Sequence, residues 1–318
     1  MIEIADASKP PCVVVTGATG FLGLPVVQRL VAAGSQVHAL ARTTSGGLPA
    51  ACRFQAVDLF DTAALSRLLA ECRPSHLLHL AWIATPGVYW TSPENHAWVE
   101  ASLELLRAFA RSGGRRAVLV GSCAEYDWSV AGRCHETHTP LAPATLYGQC
   151  KHSLRLRVEA EARSLGVSVA WARLFFLYGP RERPERLVAS VIRSLLAGEP
   201  AACSEGRQER DFLHVDDAAQ ALIALLHSDV RGACNIGSGR AMSVRSVVEQ
   251  LAALLSSPEL LRLGQRPTPP GEPPLLVADT TRLNTEVGWS PGRSLAVGLS
   301  ETIDWWRQRV RQTERRSA

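Results

Sequence analysis

Cys12-Val13-Val14-Val15-Thr16-Gly17-Ala18-Thr19-Gly20-Phe21-Leu22-Gly23 is the stretch that decides the fold. Cys12 to Val15 is an unbroken apolar run rich in β-branched residues, the pattern of a strand buried on both faces of a parallel sheet. Beyond the glycines, Val26, Val27, Leu30 and Val31 recur at helical spacing, and Gly34 closes the segment. The order is strand, glycine turn, helix. Glycines at such a turn let the chain bend tightly and let backbone N–H groups approach a pyrophosphate at the helix N-terminus. The spacing is G-x-x-G-x-x-G and departs from the standard G-x-G-x-x-G. The strand before it and the helix after it carry the reading of dinucleotide binding over that of a plain structural turn. Gly17, Gly20, Phe21, Leu22 and Gly23 are the candidate contacts.

The next strand, Gln36 to Leu40, runs into Ala41-Arg42-Thr43-Thr44-Ser45. An acidic residue usually stands here to hold the ribose 2′-OH of NAD. Ala41 takes that place, and Arg42 with its hydroxyl neighbours suits a 2′-phosphate, so NADP(H) is favoured over NAD(H). The alternation continues with Phe54–Val57, a helix over Thr62–Cys72, His76–Ala81, a long helix over 94–111, Ala117–Val120 ending at Gly121-Ser122, a helix over Leu146–Leu165, and Val167–Leu174. Such alternation predicts an α/β fold, a doubly wound parallel sheet with a smaller C-terminal lobe for substrate. Residues 1–175 with 211–245 are assigned to the dinucleotide domain, and 176–210 with 246–318 to the second lobe. In that lobe Pro267, Pro269, Pro270, Pro273 and Pro274 predict an extended connection. A last helix near Leu295–Arg311 ends in a basic, frayed tail.

With 318 residues, 46% hydrophobic and 20% charged, the chain can bury a sizeable core. Its net charge of +4 comes from scattered arginines, without the blocks that mark a nucleic-acid surface. The eight cysteines form no Cys-x-x-Cys pair and no zinc-spaced cluster, so no metal is expected and the thiols read as small buried hydrophobes in a reducing compartment. Glu3 and Asp6 precede a first apolar run too short for a signal peptide or membrane span, which predicts a cytoplasmic protein.

Tyr147 and Lys151 supply the chemistry. Only two of the 34 basic residues are lysines, and one stands four residues after one of four tyrosines. On a helix that spacing places ammonium and phenol on one face.

With His79-Leu80-Ala81, Gly121-Ser122, Arg173, Tyr178-Gly179-Pro180, Arg210 to Asp217, Asn235-Ile236-Gly237 and Gly288 to Pro291, these motifs run nearly the whole length. Together they resemble the extended short-chain dehydrogenase/reductases that act on nucleotide sugars. The resemblance implies a Rossmann fold and an NAD(P)-dependent oxidoreductase, with Ser122, Tyr147 and Lys151 as catalytic residues. Tyr147 would exchange a proton with a sugar oxygen, and Ser122 would hydrogen-bond that oxygen. Lys151 would bind the nicotinamide ribose and, with the nicotinamide charge, lower the phenol pKa by roughly one to three units. Asp58, Leu59, Leu80 and Ala81 join the cofactor contacts. Arg210, Arg186 and Trp82 are the implied substrate contacts, with Ser122, and Tyr89 and Trp90 are further candidates for the sugar pocket. The implied partner is a nucleotide-diphosphate sugar, and helices 94–111 and 146–165 are expected to pair in a homodimer.

Departures from the family narrow the reaction. Sugar 4,6-dehydratases carry an Asp-Glu pair after the catalytic Ser/Thr, whereas Cys123 and Ala124 stand here. Glu125 comes one residue too late and points the other way if strand geometry persists. Trp98 replaces the asparagine of an Asn-Val-x-Gly-Thr motif, and Phe176 replaces another asparagine, giving a more apolar pocket wall. The missing carboxylates disfavour dehydration, and Ala41-Arg42 tips the reading toward NADPH-dependent reduction of the 4-keto group of a nucleotide-activated 6-deoxysugar. The alternatives are an NAD(P)-dependent nucleotide-sugar 4-epimerase and a non-catalytic NADP-binding regulator.

Overall fold

The computed structural model describes residues 10–44, 46–130, 132–268 and 271–317, with side chains to residue 312. Glu3, Asp6, Ser45, Pro269, Pro270 and the side chains of the basic tail lie outside the described residues. Seven parallel strands form the central sheet: β1 (Cys12–Thr16), β2 (Gln36–Ala41), β3 (Arg53–Ala56), β4 (His76–His79), β5 (Arg116–Ser122), β6 (Ser168–Leu174) and β7 (Gly232–Ile236). Their order across the sheet is β3-β2-β1-β4-β5-β6-β7. It reverses at β1, between β2 and β4, the switch point where such sheets bind ligands beyond their carboxyl ends.

The helices are α1 (Gly23–Ala32), α2 (Thr62–Cys72), α3 (Glu94–Arg111), α4 (Leu146–Ala162), α5 (Leu187–Leu196), α6 (Val215–His227), α7 (Val244–Leu254), α8 (Thr281–Thr285) and α9 (Leu295–Ser317). α1 and α6 cover one sheet face with Val26, Val27, Leu30, Leu222 and Leu225. α2, α3 and α4 cover the other with Leu65, Leu69, Leu106, Phe109, Leu154 and Val158. Val13, Val14 and Val15 are fully buried between the two layers, as a continuous apolar strand requires.

A separate apolar cluster joins α5, α7 and α9 through Val188, Ile192, Val248, Leu251, Leu299 and Ile303. Beside it a small sheet runs Met242–Ser243, Glu209–Arg210, Leu275–Ala278, Arg133–Cys134. Its last strand comes from the chain between β5 and α4, so the small sheet recruits residues placed by sequence in the first domain. Two buried polar residues fasten the junction. Asp211 accepts from Ser238 N at 2.6 Å, Gly239 N at 2.9 Å and Ala278 N at 3.1 Å. Asn235 donates to Cys134 O at 2.7 Å and accepts from the Tyr126 hydroxyl at 2.8 Å.

Some boundaries differ from the sequence expectation. β4 ends at His79, two residues early, because Leu80 N and Ala81 N turn to the Thr16 hydroxyl at 3.1 and 3.3 Å. α4 ends at Ala162. Residues 258–262 form a 3₁₀ turn and a strand, Leu261–Arg262, paired with Ala201–Ala202, since the proline run starts only at Pro267. Among the described residues, no helix is long and apolar enough to cross a membrane.

Candidate active site

Close packing explains the glycine turn. Gly17 takes a left-handed φ of +66°, and a Cβ there would meet Ala81 N at 3.0 Å. A Cβ on Gly23 would lie 2.0 Å from Gly17 O, so the third glycine lets α1 begin against the turn. Phe21 and Leu22 stand half-buried at this end of α1, which leaves a backbone cradle that a phosphate-bearing dinucleotide fits. Thr16 donates to His79 Nδ1 at 2.7 Å while accepting from Leu80 N and Ala81 N. His79 Nε2 then donates to Ser102 at 2.8 Å, and Ser102 to Trp98 O at 2.7 Å. Burial holds His79 down at about 3, so the ring is neutral and this relay keeps one direction. Leu59 is buried at the end of β3, and exposed Asp58 accepts from Phe60 N at 3.0 Å. Arg42 is exposed and forms no ion pair among the described residues.

Tyr147 is the second residue of α4, whose start is fixed by Thr145 accepting from Gly148 N at 3.1 Å. The Tyr147 amide donates to Trp90 O at 3.1 Å, and its ring meets Tyr89 edge-on at 4.9 Å and Trp90 at 5.7 Å. Ser122, which ends β5, is close enough to the phenol to act on its titration. The pair predicted on one helix face thus has the predicted serine beside its phenol. The predicted electrostatics need correction. Burial pushes the phenol above its ordinary value, with Tyr89 adding to the rise and Ser122 opposing it. Lys151 does not lower it, because its ammonium donates to Val120 O at 2.8 Å and lies 3.7 Å over the Trp82 ring, against 5.9 Å from that of Tyr147. Burial lowers Lys151 to about 7, with Glu125 acting in the other direction.

Glu125 was missed by strand reasoning. The strand ends at Ser122, residues 123–125 form a 3₁₀ turn, and the carboxylate curls back beneath the serine. Fully buried, it accepts from Ser122 N at 2.8 Å, Trp171 Nε1 at 2.9 Å and Arg173 Nε at 3.0 Å. Gly121 leaves room for it, since a Cβ there would lie 2.3 Å from Glu125 Oε1. Cys123 and Ala124 are buried, and burial pushes the Cys123 thiol well above its ordinary value.

Asn95 was also missed. Trp98 fills core against Phe60 and Trp82, while Asn95, one helical turn earlier on the same face, is the buried amide. It accepts from Trp82 Nε1 at 2.8 Å and donates to Tyr89 O and Ser92 O, each at 2.8 Å. Trp82 is thereby fixed over Lys151, and Tyr89 and Trp90 flank Tyr147.

Of the two substrate arginines, Arg210 is buried, pairs with Glu272 at 2.9 Å and sits 5.5 Å from the Phe176 ring. It also acts electrostatically on Cys123, which places it near the end of β5. Arg186 precedes α5 and lies over Tyr89 at 5.2 Å, with Nη1 3.5 Å from the hydroxyl. Behind it, Glu182 is 7% exposed with Oε2 unpartnered, and burial raises it to about 8 against the pull of Arg186.

The comparisons agree with this geometry. Residues 13–237 match the profile described as the NAD dependent epimerase/dehydratase family. A dTDP-glucose 4,6-dehydratase of Xanthomonas campestris pv. campestris is 29% identical, over 92% of each chain. The UDP-glucose 4-epimerase of Thermotoga maritima, solved with UDP-glucose, superposes with a TM-score of 0.85 at 25% identity, covering 94% of this chain and 99% of that one. MoeE5, solved with UDP-glucose and NAD, gives 0.81 at 32% identity, over 94% and 99%. Sequence, sheet order and site thus meet in one conclusion: the chain belongs to the NAD dependent epimerase/dehydratase family, and is an oxidoreductase-type enzyme of the extended short-chain dehydrogenase/reductase group.

Proposed function

We propose that this chain is a nucleotide-sugar 4-epimerase. The observation that carries the reading is the environment of Ser122. Tyr147 and Lys151 stand beside it, but the two following positions are a buried thiol with a raised pKa and an alanine. Elimination of water needs an additional acid and base at the sugar, and these positions supply neither. The likeness to solved proteins that hold UDP-glucose supports a nucleotide-activated hexose as substrate.

Gly17, Gly20, Phe21, Leu22, Gly23, Leu80 and Ala81 would hold the dinucleotide, with Tyr147 and Lys151 at its nicotinamide ribose. When bound, that group supplies a reversible hydride acceptor. The chain's own residues manage the proton and the substrate. Tyr147 takes the C4 hydroxyl proton and later returns it, and Ser122 donates a hydrogen bond to the same oxygen. Tyr89, Trp90 and Phe176 make an aromatic wall, and Arg186 and Arg210 face the diphosphate. The second lobe, 176–210 with 246–318, supplies most of this side. Helices α3 and α4 are the faces proposed for a homodimer, to be checked by sedimentation.

NADPH-dependent 4-keto reduction is the second reading, favoured by Ala41 in the usual acidic place and by the exposed guanidinium of Arg42, which has no ion pair among the described residues. Proton NMR with UDP-glucose separates the two. Inversion at C4 without net cofactor turnover is the expected result. Stoichiometric NADPH consumption with a nucleotide 4-keto-6-deoxysugar, and no inversion, would establish reduction instead. Tyr147→Phe should lower kcat by about 10²–10⁴-fold. Arg42→Ala tests the cofactor, and should weaken NADPH far more than NADH if this guanidinium meets a 2′-phosphate.

A further inference from the structure

One side chain from the second lobe reaches back to the glycine-turn side of the molecule. Arg181 follows Tyr178-Gly179-Pro180 and holds a left-handed φ of +71°, which side chains other than glycine and asparagine rarely adopt. Its guanidinium lies on Gly47, where an added Cβ would be 2.9 Å from Nη2 and 3.5 Å from Cζ. The same Cβ would lie 3.4 Å from Cδ2 of Leu24, the second residue of α1. Gly47 belongs to the loop that leaves β2 through Arg42, and Gln28 of α1 donates to its carbonyl at 3.1 Å. Thr19 of the glycine turn donates to Thr43 O of the same loop at 3.3 Å.

Arg181 is exposed and, among the described residues, has no ion pair or hydrogen bond. Its neighbour Glu182, the nearest carboxylate in sequence, is buried and so turned inward, while Arg186 lies over Tyr89. An uncommon backbone conformation thus holds an uncompensated guanidinium over the loop and helix end that flank a phosphate-binding turn. A planar guanidinium is well matched to phosphate oxygens.

We propose that Arg181 is a cofactor-binding residue: its guanidinium contacts a phosphate of the dinucleotide, so that both lobes grip the cofactor. The inference rests on the reading that the glycine turn holds NAD(P). The shared chemistry is phosphate, and the source is either the pyrophosphate or the 2′-phosphate.

The test is direct titration of NADH and NADPH by fluorescence on the full chain, without sugar, for wild type, Arg181→Ala and Arg181→Gly. Loss of a charged hydrogen bond should raise Kd about tenfold or more. An equal rise for both cofactors supports contact with the pyrophosphate, and a rise confined to NADPH supports the 2′-phosphate. Thermal unfolding supplies the control. Glycine relaxes the left-handed residue and alanine does not, so Arg181→Gly should raise Tm while losing as much affinity as Arg181→Ala. Unchanged Kd values in both variants overturn the proposal, as does a loss of affinity in Arg181→Gly accompanied by a fall in Tm. If wild type binds neither dinucleotide, the glycine-turn reading falls and the proposal with it. A failure to epimerise sugars leaves this measurement intact.

Discussion

Two buried glutamates, Glu125 below Ser122 and Glu182 before α5, solve the same problem differently. Glu125, below Ser122, has no exposed surface, and its carboxylate is met by a backbone N–H, an indole and a guanidinium. Glu182, just before α5, is nearly as buried, but among the described residues Oε2 finds no partner and the group rises to about 8. Burial alone therefore does not define a buried acid. The donors around it determine whether charge can be kept. The first carboxylate is held by three donors, and the second keeps a proton instead.

The sharpest way to break this contrast is Glu125→Ala. It leaves Arg173 as an uncompensated buried charge and frees the Ser122 amide, so we expect a loss of about 3–5 kcal/mol in urea unfolding. Glu125→Gln should cost less, since one oxygen still accepts. A smaller, pH-dependent effect belongs to Glu182. Its folded pKa of about 8 stands above the ordinary 4.5, so the folded chain keeps a proton that the unfolded chain releases. The stability this contributes is present below pH 4.5 and is lost as pH rises to about 8, by at most about 1.4 kcal/mol per pH unit. Glu182→Gln should abolish that slope, and parallel wild-type and variant curves across this window would refute it. The least effect is expected from Arg186→Leu. Removing the cation that pulls Glu182 down should move the upper edge of the window to higher pH, by under about one unit.

The contrast also marks what could be read from the chain alone. The sheet was legible because its strands are buried on both faces, as Val13 to Val15 are, and the helices because their apolar positions recur at helical spacing. Ser122, Tyr147 and Lys151 were legible as motifs, and the fold brings them together. Glu125 was not, because strand alternation ceases at Ser122 and nothing local announces a 3₁₀ turn that reverses its carboxylate. Asn95 was hidden by the expectation of an amide at position 98, although one helical turn keeps it on the same face. The direction of Lys151 was hidden too, because its partners Val120 O and Trp82 lie 31 and 69 residues away in sequence.

The position of Tyr147 within α4 has a consequence for charge. It is the second residue of a 17-residue helix, where aligned peptide dipoles leave about half a positive charge, and helical side chains lean toward that end. Negative charge appearing on the phenol oxygen falls within this field, which favours it by typically 0.3–1 kcal/mol and more where solvent is excluded. By this physical argument the helix opposes the rise that burial imposes, through the backbone and independently of which way Lys151 points.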